Sequence, residues 1–136
     1  MDTLKGKFAI AGLGITEMGK VYGRTAEDFA AEAVALAAAD AGLKKDDIDG
    51  LLINAGITFA IDPRLQQYLG LKNLPMLSQV QAWGGTAGAM VQYAGMAVNA
   101  GLANYVACVF ADAPLSKDMQ GTASAYSHVG SGGMSS

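Results

Sequence analysis

The sequence predicts an α/β fold on a mostly parallel sheet, and three observations carry that reading. Short apolar runs alternate along the chain with stretches of helical period. Glycines stand where the helical periods end, at Gly42, Gly70 and Gly101. Hydrophobic residues make up 51% and charged residues 15% of the 136 positions, enough apolar surface for one buried core. The 18 glycines, with abundant alanine, require elements that approach one another closely.

In order, Phe8-Ala9-Ile10-Ala11-Gly12-Leu13 is a short apolar run closed by glycines and predicts a buried first strand. After a loop through Thr16, Gly19 and Gly23, a helix is expected to begin at Thr25. Thr25 can cap it, with Asp28 three residues on completing a capping box and Glu27 and Asp28 favouring the positive helix end. Phe29, Ala33, Leu36 and Ala37 fall on one face, leaving Glu27, Glu32 and Asp40 for water, and Gly42 suits the left-handed C-terminal cap. A polar connector with Asp46, Asp47 and Asp49 leads to a second buried strand, Leu51-Leu52-Ile53. Residues 60–63 predict a turn, 64–69 a short helix stopped by Gly70, and 75–80 a third strand. Thr86 to Ala100 predicts a Gly- and Ala-rich core helix in which Gly84, Gly85, Gly88 and Gly95 permit deep packing. Tyr105 to Phe110, β-branched, aromatic and uncharged, predicts a central strand. Residues 1–112 thus form one α/β unit, and 113–136, rich in Gly and Ser, a loop or tail.

Composition also excludes classes. Nine Lys and Arg against twelve Asp and Glu give a formal charge of −3, without the basic footprint of a nucleic-acid binder. A single cysteine permits neither an internal disulfide nor a Cys-based zinc cluster, and a reducing, cytoplasmic setting is expected. Gln92, Asn99 and Asn104 interrupt the longest apolar stretches, so no membrane span is expected, and the N-terminus has no apolar signal core. Gly12, Gly14 and Gly19 lack dinucleotide-binding spacing, because Glu17 stands where that fingerprint needs glycine. Cys108, inside an apolar run, is expected as a buried structural thiol. His128, among Ser127, Ser131 and Ser135, lacks the orienting partner that a Ser–His pair requires. The acidic connector lacks the alternation of a calcium loop, and no metal site is expected.

Trp83-Gly84-Gly85-Thr86 is the candidate substrate-binding segment. It lies where the third strand gives way to the core helix, and N–H groups at such a start suit an anion or a developing oxyanion.

Several segments together resemble the amino-terminal half of the thiolase superfamily, in its sterol-carrier/lipid-transfer type of acetyl-CoA acetyltransferase. They are residues 9–19, 25–33, 47–51 and 94–109, matched in order over nearly the whole chain. The resemblance implies a thiolase-like βαβαβ layered unit, acyl-CoA as substrate, no covalently bound cofactor, and carbon–carbon bond chemistry beside a thioester carbonyl. Thiolases place a nucleophilic cysteine at the start of the core helix, where the helix end lowers the thiol pKa. The equivalent position here is Gly84, so no catalytic residue is identified. Family members are also much longer, with catalytic groups in a later half, so the chain is expected to be a fragment or truncated half, inactive alone.

The missing cysteine points to an alternative that some members of the fold resemble. This is a cysteine-independent retro-aldolase subunit working with a zinc-ribbon/OB-fold partner. A homodimer or hetero-oligomer is expected. A non-catalytic subunit completing a hetero-oligomer and a binding module for acyl-CoA stay open beside it.

Overall fold

Five consecutive buried residues, Gly50-Leu51-Leu52-Ile53-Asn54, form the centre of the molecule. A strand buried on both faces needs apolar cover on each side, and the chain supplies it with helices. The computed structural model describes residues 3–115. The elements are α1 (Ala26–Asp40), β1 (Gly50–Asn54), α2 (Leu65–Leu69), β2 (Met76–Gln79), α3 (Thr86–Asn99) and β3 (Val106–Phe110). The sheet has the order β2-β1-β3 and both pairings are parallel. Gly50 aligns with Met76 on one side and Val106 on the other, so all three strands end at the same rim.

Alternation along β1 divides the core in two. Leu51 and Ile53 join Ala26, Ala30 and Val34 of α1 and Leu65 and Leu69 of α2. Leu52 points the other way and packs with Met76, Met90 and Ala97. The fold is therefore mixed α/β with helices on both faces of a small parallel sheet. The fuller layering expected from the thiolase resemblance is not established by it.

Local signals act as the sequence predicts. Thr25 Oγ1 accepts the Asp28 N–H at 3.1 Å while Asp28 Oδ2 accepts the Thr25 N–H at 3.0 Å, a complete capping box. Past α1, Gly42 takes φ +69°, and the Leu43 N–H reaches the Ala38 carbonyl at 2.8 Å, closing the helix in a Schellman turn. Gly101 repeats the device after α3, with Leu102 donating to Ala97 at 2.9 Å. In the connector, Asp47 accepts the Lys44 N–H at 2.7 Å. Asp49 accepts the N–H groups of Asn104 and Tyr105 at 2.9 and 2.8 Å, pinning the turn into β3. Asp49, still partly exposed to solvent, is thus also a structural tie between the connector and the turn into β3.

Four expectations need correction. The run 8–13 is not a strand. It lies extended outside the sheet, with Ile10 76% exposed, and a mostly apolar cleft of about 1060 Å³ separates it from β3. The stretch is anchored to helices instead. A Cβ on Gly12 or Gly14 would stand 2.2 or 2.0 Å from the Ala37 or Ala33 carbonyl oxygen of α1, and one on Gly95 of α3 would stand 2.4 Å from the Phe8 ring.

The buried stripe of α1 is Ala26, Ala30 and Val34; Phe29, Ala33 and Ala37 are only partly buried and Leu36 is exposed. Asp40 is exposed, as expected, and from there accepts the Leu13 N–H at 2.9 Å. The third correction is that β3 is an edge strand among the described residues, with β1 at the centre. Cys108 is accordingly exposed in the cleft, with Sγ 3.7 Å from the Met90 carbonyl; its apolar surroundings still push the thiol up to about 11. Finally, of the glycines assigned to close packing at α3, only Gly95 has it; Gly84, Gly85 and Gly88 face open space.

No helix among the described residues is long and apolar enough to cross a membrane. His128 and the serines near it, with most of the 113–136 tail, lie outside the described residues.

Candidate functional site at the C-terminal rim of the sheet

In an open parallel sheet, ligands bind beyond the carboxyl ends of the strands, where connecting loops diverge. Here the rim is formed by Asn54-Ala55-Gly56-Ile57-Thr58 after β1, Val80 to Thr86 after β2, and Ala111-Asp112-Ala113 after β3. The predicted segment Trp83 to Thr86 lies on this rim. Trp83–Gly85 is a single 3₁₀ turn that runs directly into α3. Gly84 and Gly85 have no heavy atom within 4 Å of where a Cβ would sit, so the turn is open to an approaching molecule. Trp83 is 62% exposed, whereas Thr86 is buried at 5%.

Thr86 acts as a clasp. Its hydroxyl donates to the Trp83 carbonyl at 2.8 Å and accepts the Ala82 N–H at 2.9 Å. The Gly85 N–H donates to the Ala82 carbonyl at 2.9 Å, and the Thr86 N–H to Trp83. Much of the donor capacity expected to face a ligand therefore closes the turn on itself, and Thr86 shapes the site without facing out.

The structure adds three polar residues that the sequence reading missed. Asn54, only 5% exposed, donates from Nδ2 to the Val80 carbonyl at 2.8 Å and to Gln81 Oε1 at 3.1 Å, and accepts the Gly56 N–H at 3.3 Å. Gln81 donates from Nε2 to the Gly56 carbonyl at 3.1 Å. Asp112 accepts the Ile57 N–H at 2.7 Å, its own neighbour Ala113 N–H at 2.9 Å, and the Thr58 hydroxyl. A continuous chain of hydrogen bonds thus crosses the ends of all three strands.

Gly56 is the one residue that fits its place in this chain. Its φ is +61°, and a Cβ there would stand 2.2 Å from Asp112 Oδ2. A legible signal existed: Asn54 and Gln81 directly follow the predicted strands 51–53 and 75–80, and Asp112 comes two residues after the predicted strand 105–110.

Among the described residues, two that are not glycine have positive φ, Phe59 at +53° and Trp83 at +48°, and both are exposed aromatics on the rim loops. Backbone strain of this kind persists where surroundings over-determine it, and it clusters at functional sites. The one carboxylate in the network, Asp112, has both oxygens engaged. No group of three or more His, Cys, Asp or Glu that could hold a metal exists among the described residues. The described residues of this rim thus offer exposed aromatic side chains at Trp83 and Phe59 on loops tied together by a polar network.

No family model matches the chain. It is 42% identical over 112 residues to the "Steroid side-chain-cleaving aldolase" of Thermomonospora curvata, a match covering 79% of this chain and 27% of that protein. This stretch is similar to a steroid side-chain-cleaving aldolase. It is also 41% identical over 107 residues to the "17-hydroxy-3-oxo-4-pregnene-20-carboxyl-CoA lyase" of Mycobacterium tuberculosis, covering 76% of this chain and 26% of that one. Among solved structures, the "Ltp2-ChsH2(DUF35) aldolase" superposes with a TM-score of 0.66 at 42% identity, over 74% of this chain and 26% of that chain. The chain spans about a quarter of the length of the curated relatives it matches.

These findings overturn the assignment to the acetyl-CoA acetyltransferase branch of the thiolase superfamily. Both curated relatives are named as an aldolase and a lyase, and the matched structure as an aldolase; none is an acyltransferase. The residues agree with the correction. Acyl transfer through a thioester needs a thiol at the start of the core helix, and Gly84 offers only open space there.

Proposed function

We propose that this chain forms part of a lyase that cleaves a carbon–carbon bond in a bulky, ring-bearing acyl-CoA by a retro-aldol reaction. The observation that carries the reading is the 42% identity over 112 residues to an aldolase of that description. The glycine at position 84 supports it, because a retro-aldol cleavage forms no acyl-enzyme and needs no nucleophile there.

The chemistry follows from a hydroxyl placed β to a thioester carbonyl. A base removes the hydroxyl proton and the oxygen closes to a ketone. The bond to the α-carbon breaks, and its electron pair moves into the thioester as an enolate, which takes up a proton. Transition-state charge gathers on the thioester oxygen, so the reaction profits from fixed dipoles beside it. In this reading Trp83, Gly84, Gly85 and Thr86 form the substrate-binding turn. The two glycines admit the thioester close to the main chain, Thr86 holds the turn's shape, and Trp83 faces the ring skeleton. The chain works within a hetero-oligomer, in keeping with the two-component name of the matched aldolase structure, and a zinc-ribbon/OB-fold protein is the expected companion.

The test is turnover by the protein purified with whatever subunit accompanies it, on a β-hydroxy acyl-CoA with a steroid ring system. Ketone and shortened acyl-CoA are expected in equal amounts, without added free CoA and without inhibition by a thiol-blocking reagent. Cleavage that requires free CoA, or no binding of the thioester at all, refutes the reading.

A further inference from the structure

One side chain touches both strained loops of the rim. Gln81 Oε1 accepts the Trp83 N–H at 3.3 Å, and its Nε2 donates to the Gly56 carbonyl at 3.1 Å. Asn54, nearly fully buried, holds the same Oε1 at 3.1 Å and fixes the amide from below. Trp83 is therefore gripped on both sides, at its N–H by Gln81 and at its carbonyl by the Thr86 hydroxyl at 2.8 Å.

The grip matters because Trp83 cannot hold itself. Its φ of +48° is one that a residue with a bulky side chain rarely adopts. Its indole is 62% exposed, so burial does not hold it in place either. An exposed aromatic kept in a strained backbone by a polar clamp is arranged to present a surface. The clamp also requires an amide. The position needs an acceptor for the Trp83 N–H and a donor for the Gly56 carbonyl at once, which glutamine supplies and glutamate, ionised at neutral pH, does not.

We propose that Gln81 is a positioning residue that fixes the Trp83 indole at the rim as the apolar face for the ring skeleton of the acyl-CoA. This rests on the reading of residues 83–86 as the substrate-binding turn. Gln81 touches no substrate; it acts through Trp83, and its loss weakens recognition of the ring system without altering recognition of the CoA portion.

Trp83 is the one tryptophan among these 136 residues, and subtracting the emission of Trp83→Phe isolates its signal from tryptophans elsewhere in the assembly. The parent protein is compared with Gln81→Leu, Gln81→Glu and Trp83→Phe, with Gln67→Leu on α2 as a distant control for loss of an exposed amide. Fluorescence anisotropy is read without ligand in the variants that keep the indole. All variants are then titrated with CoA and with a steroid-ring acyl-CoA, by calorimetry where Trp83 is absent. Gln81→Leu is expected to lower the anisotropy and to weaken ring-bearing acyl-CoA about tenfold, the scale of one aromatic contact, with CoA affinity unchanged. Gln81→Glu, which keeps the acceptor, is expected to fall between it and the parent. Trp83→Phe should reproduce a loss confined to the ring-bearing ligand, and it keeps the test open should Gln81→Leu not fold.

Unchanged anisotropy in Gln81→Leu overturns the clamp. An equal loss for both ligands overturns the specificity role. A parent protein that binds neither ligand refutes the reading of the site and with it the ligand half of the inference, while the anisotropy comparison still decides whether Gln81 holds Trp83.

Discussion

Replacing Gly56 by alanine tests the rim network at its tightest point. Two costs arise there from separate causes. A residue with a Cβ at φ +61° meets the left-handed penalty, about 1–2 kcal/mol. The new methyl would also stand 2.2 Å from Asp112 Oδ2 and 2.6 Å from its Cγ, so the carboxylate must swing away. That movement gives up the bonds to the Ile57 N–H and the Thr58 hydroxyl. A hydrogen bond to a charged group contributes roughly 1.5–3 kcal/mol net, and at this partly exposed carboxylate water replaces about one of the two lost bonds, so with the left-handed penalty the whole change should cost about 3–4 kcal/mol.

With a urea slope of about 1.5 kcal/mol per molar, the unfolding midpoint should fall by roughly 2 M. Gly84→Ala is the matched control. It has open space around the new methyl and should change stability by less than about 0.5 kcal/mol. Asp112→Ala added to Gly56→Ala removes the clashing carboxylate, and the double variant should be more stable than additivity demands, by at least about 1 kcal/mol. A midpoint for Gly56→Ala that matches Gly84→Ala, or strict additivity in the double variant, would show that Gly56 and Asp112 do not meet in this way.

The remaining expectations concern titration. Apolar surroundings hold the Cys108 thiol at about 11, so its reaction with a disulfide reagent should be slow at pH 7 and should keep rising past about pH 10. A rate that levels off by about pH 10, as an ordinary thiol's does, would refute that environment. Asp28 is held below its ordinary value of 3.8, chiefly by the Tyr68 hydroxyl at 2.6 Å and then by the Thr25 N–H. A depressed carboxylate adds stability above its unfolded pKa and loses it as pH falls through the folded one. Tyr68→Phe should therefore be less stable than the parent in urea at pH 7, with the difference closing as pH is lowered below 3.8; a gap that persists in acid would refute the link.

What the sequence determined by itself is what a few adjacent residues can decide. The Thr25–Asp28 box closes within one helical turn, and Gly42, Gly70 and Gly101 stop helices through their own φ of +69°, +67° and +74°. Three adjacent apolar residues, Leu51, Leu52 and Ile53, made β1 legible for the same reason, and the structure extends it to Gly50 and Asn54. The turn at Trp83 to Thr86 was also legible, since a glycine pair before a helical period marks a helix start wherever it packs.

Tertiary structure alone decided which strands pair and what stands on the rim. Phe8 to Leu13 has the composition of a buried strand, yet it lies beyond a cleft because Gly12 and Gly14 seat it on α1 and no described strand reaches it. The Tyr105–Phe110 run reads as central but forms the edge, since apolar composition reports burial expected on two faces and not the presence of a neighbour.

The polar network was the least visible feature. Asn54 and Gln81 lie 27 residues apart, and Ile57 and Asp112 lie 55 apart. Asn54, Gln81 and Asp112 are each an ordinary polar residue in its own segment, and Ile57 joins only through its main chain. Only the parallel register of three strands brings their ends to one rim, where amides, a carboxylate and a glycine close a single hydrogen-bonded network.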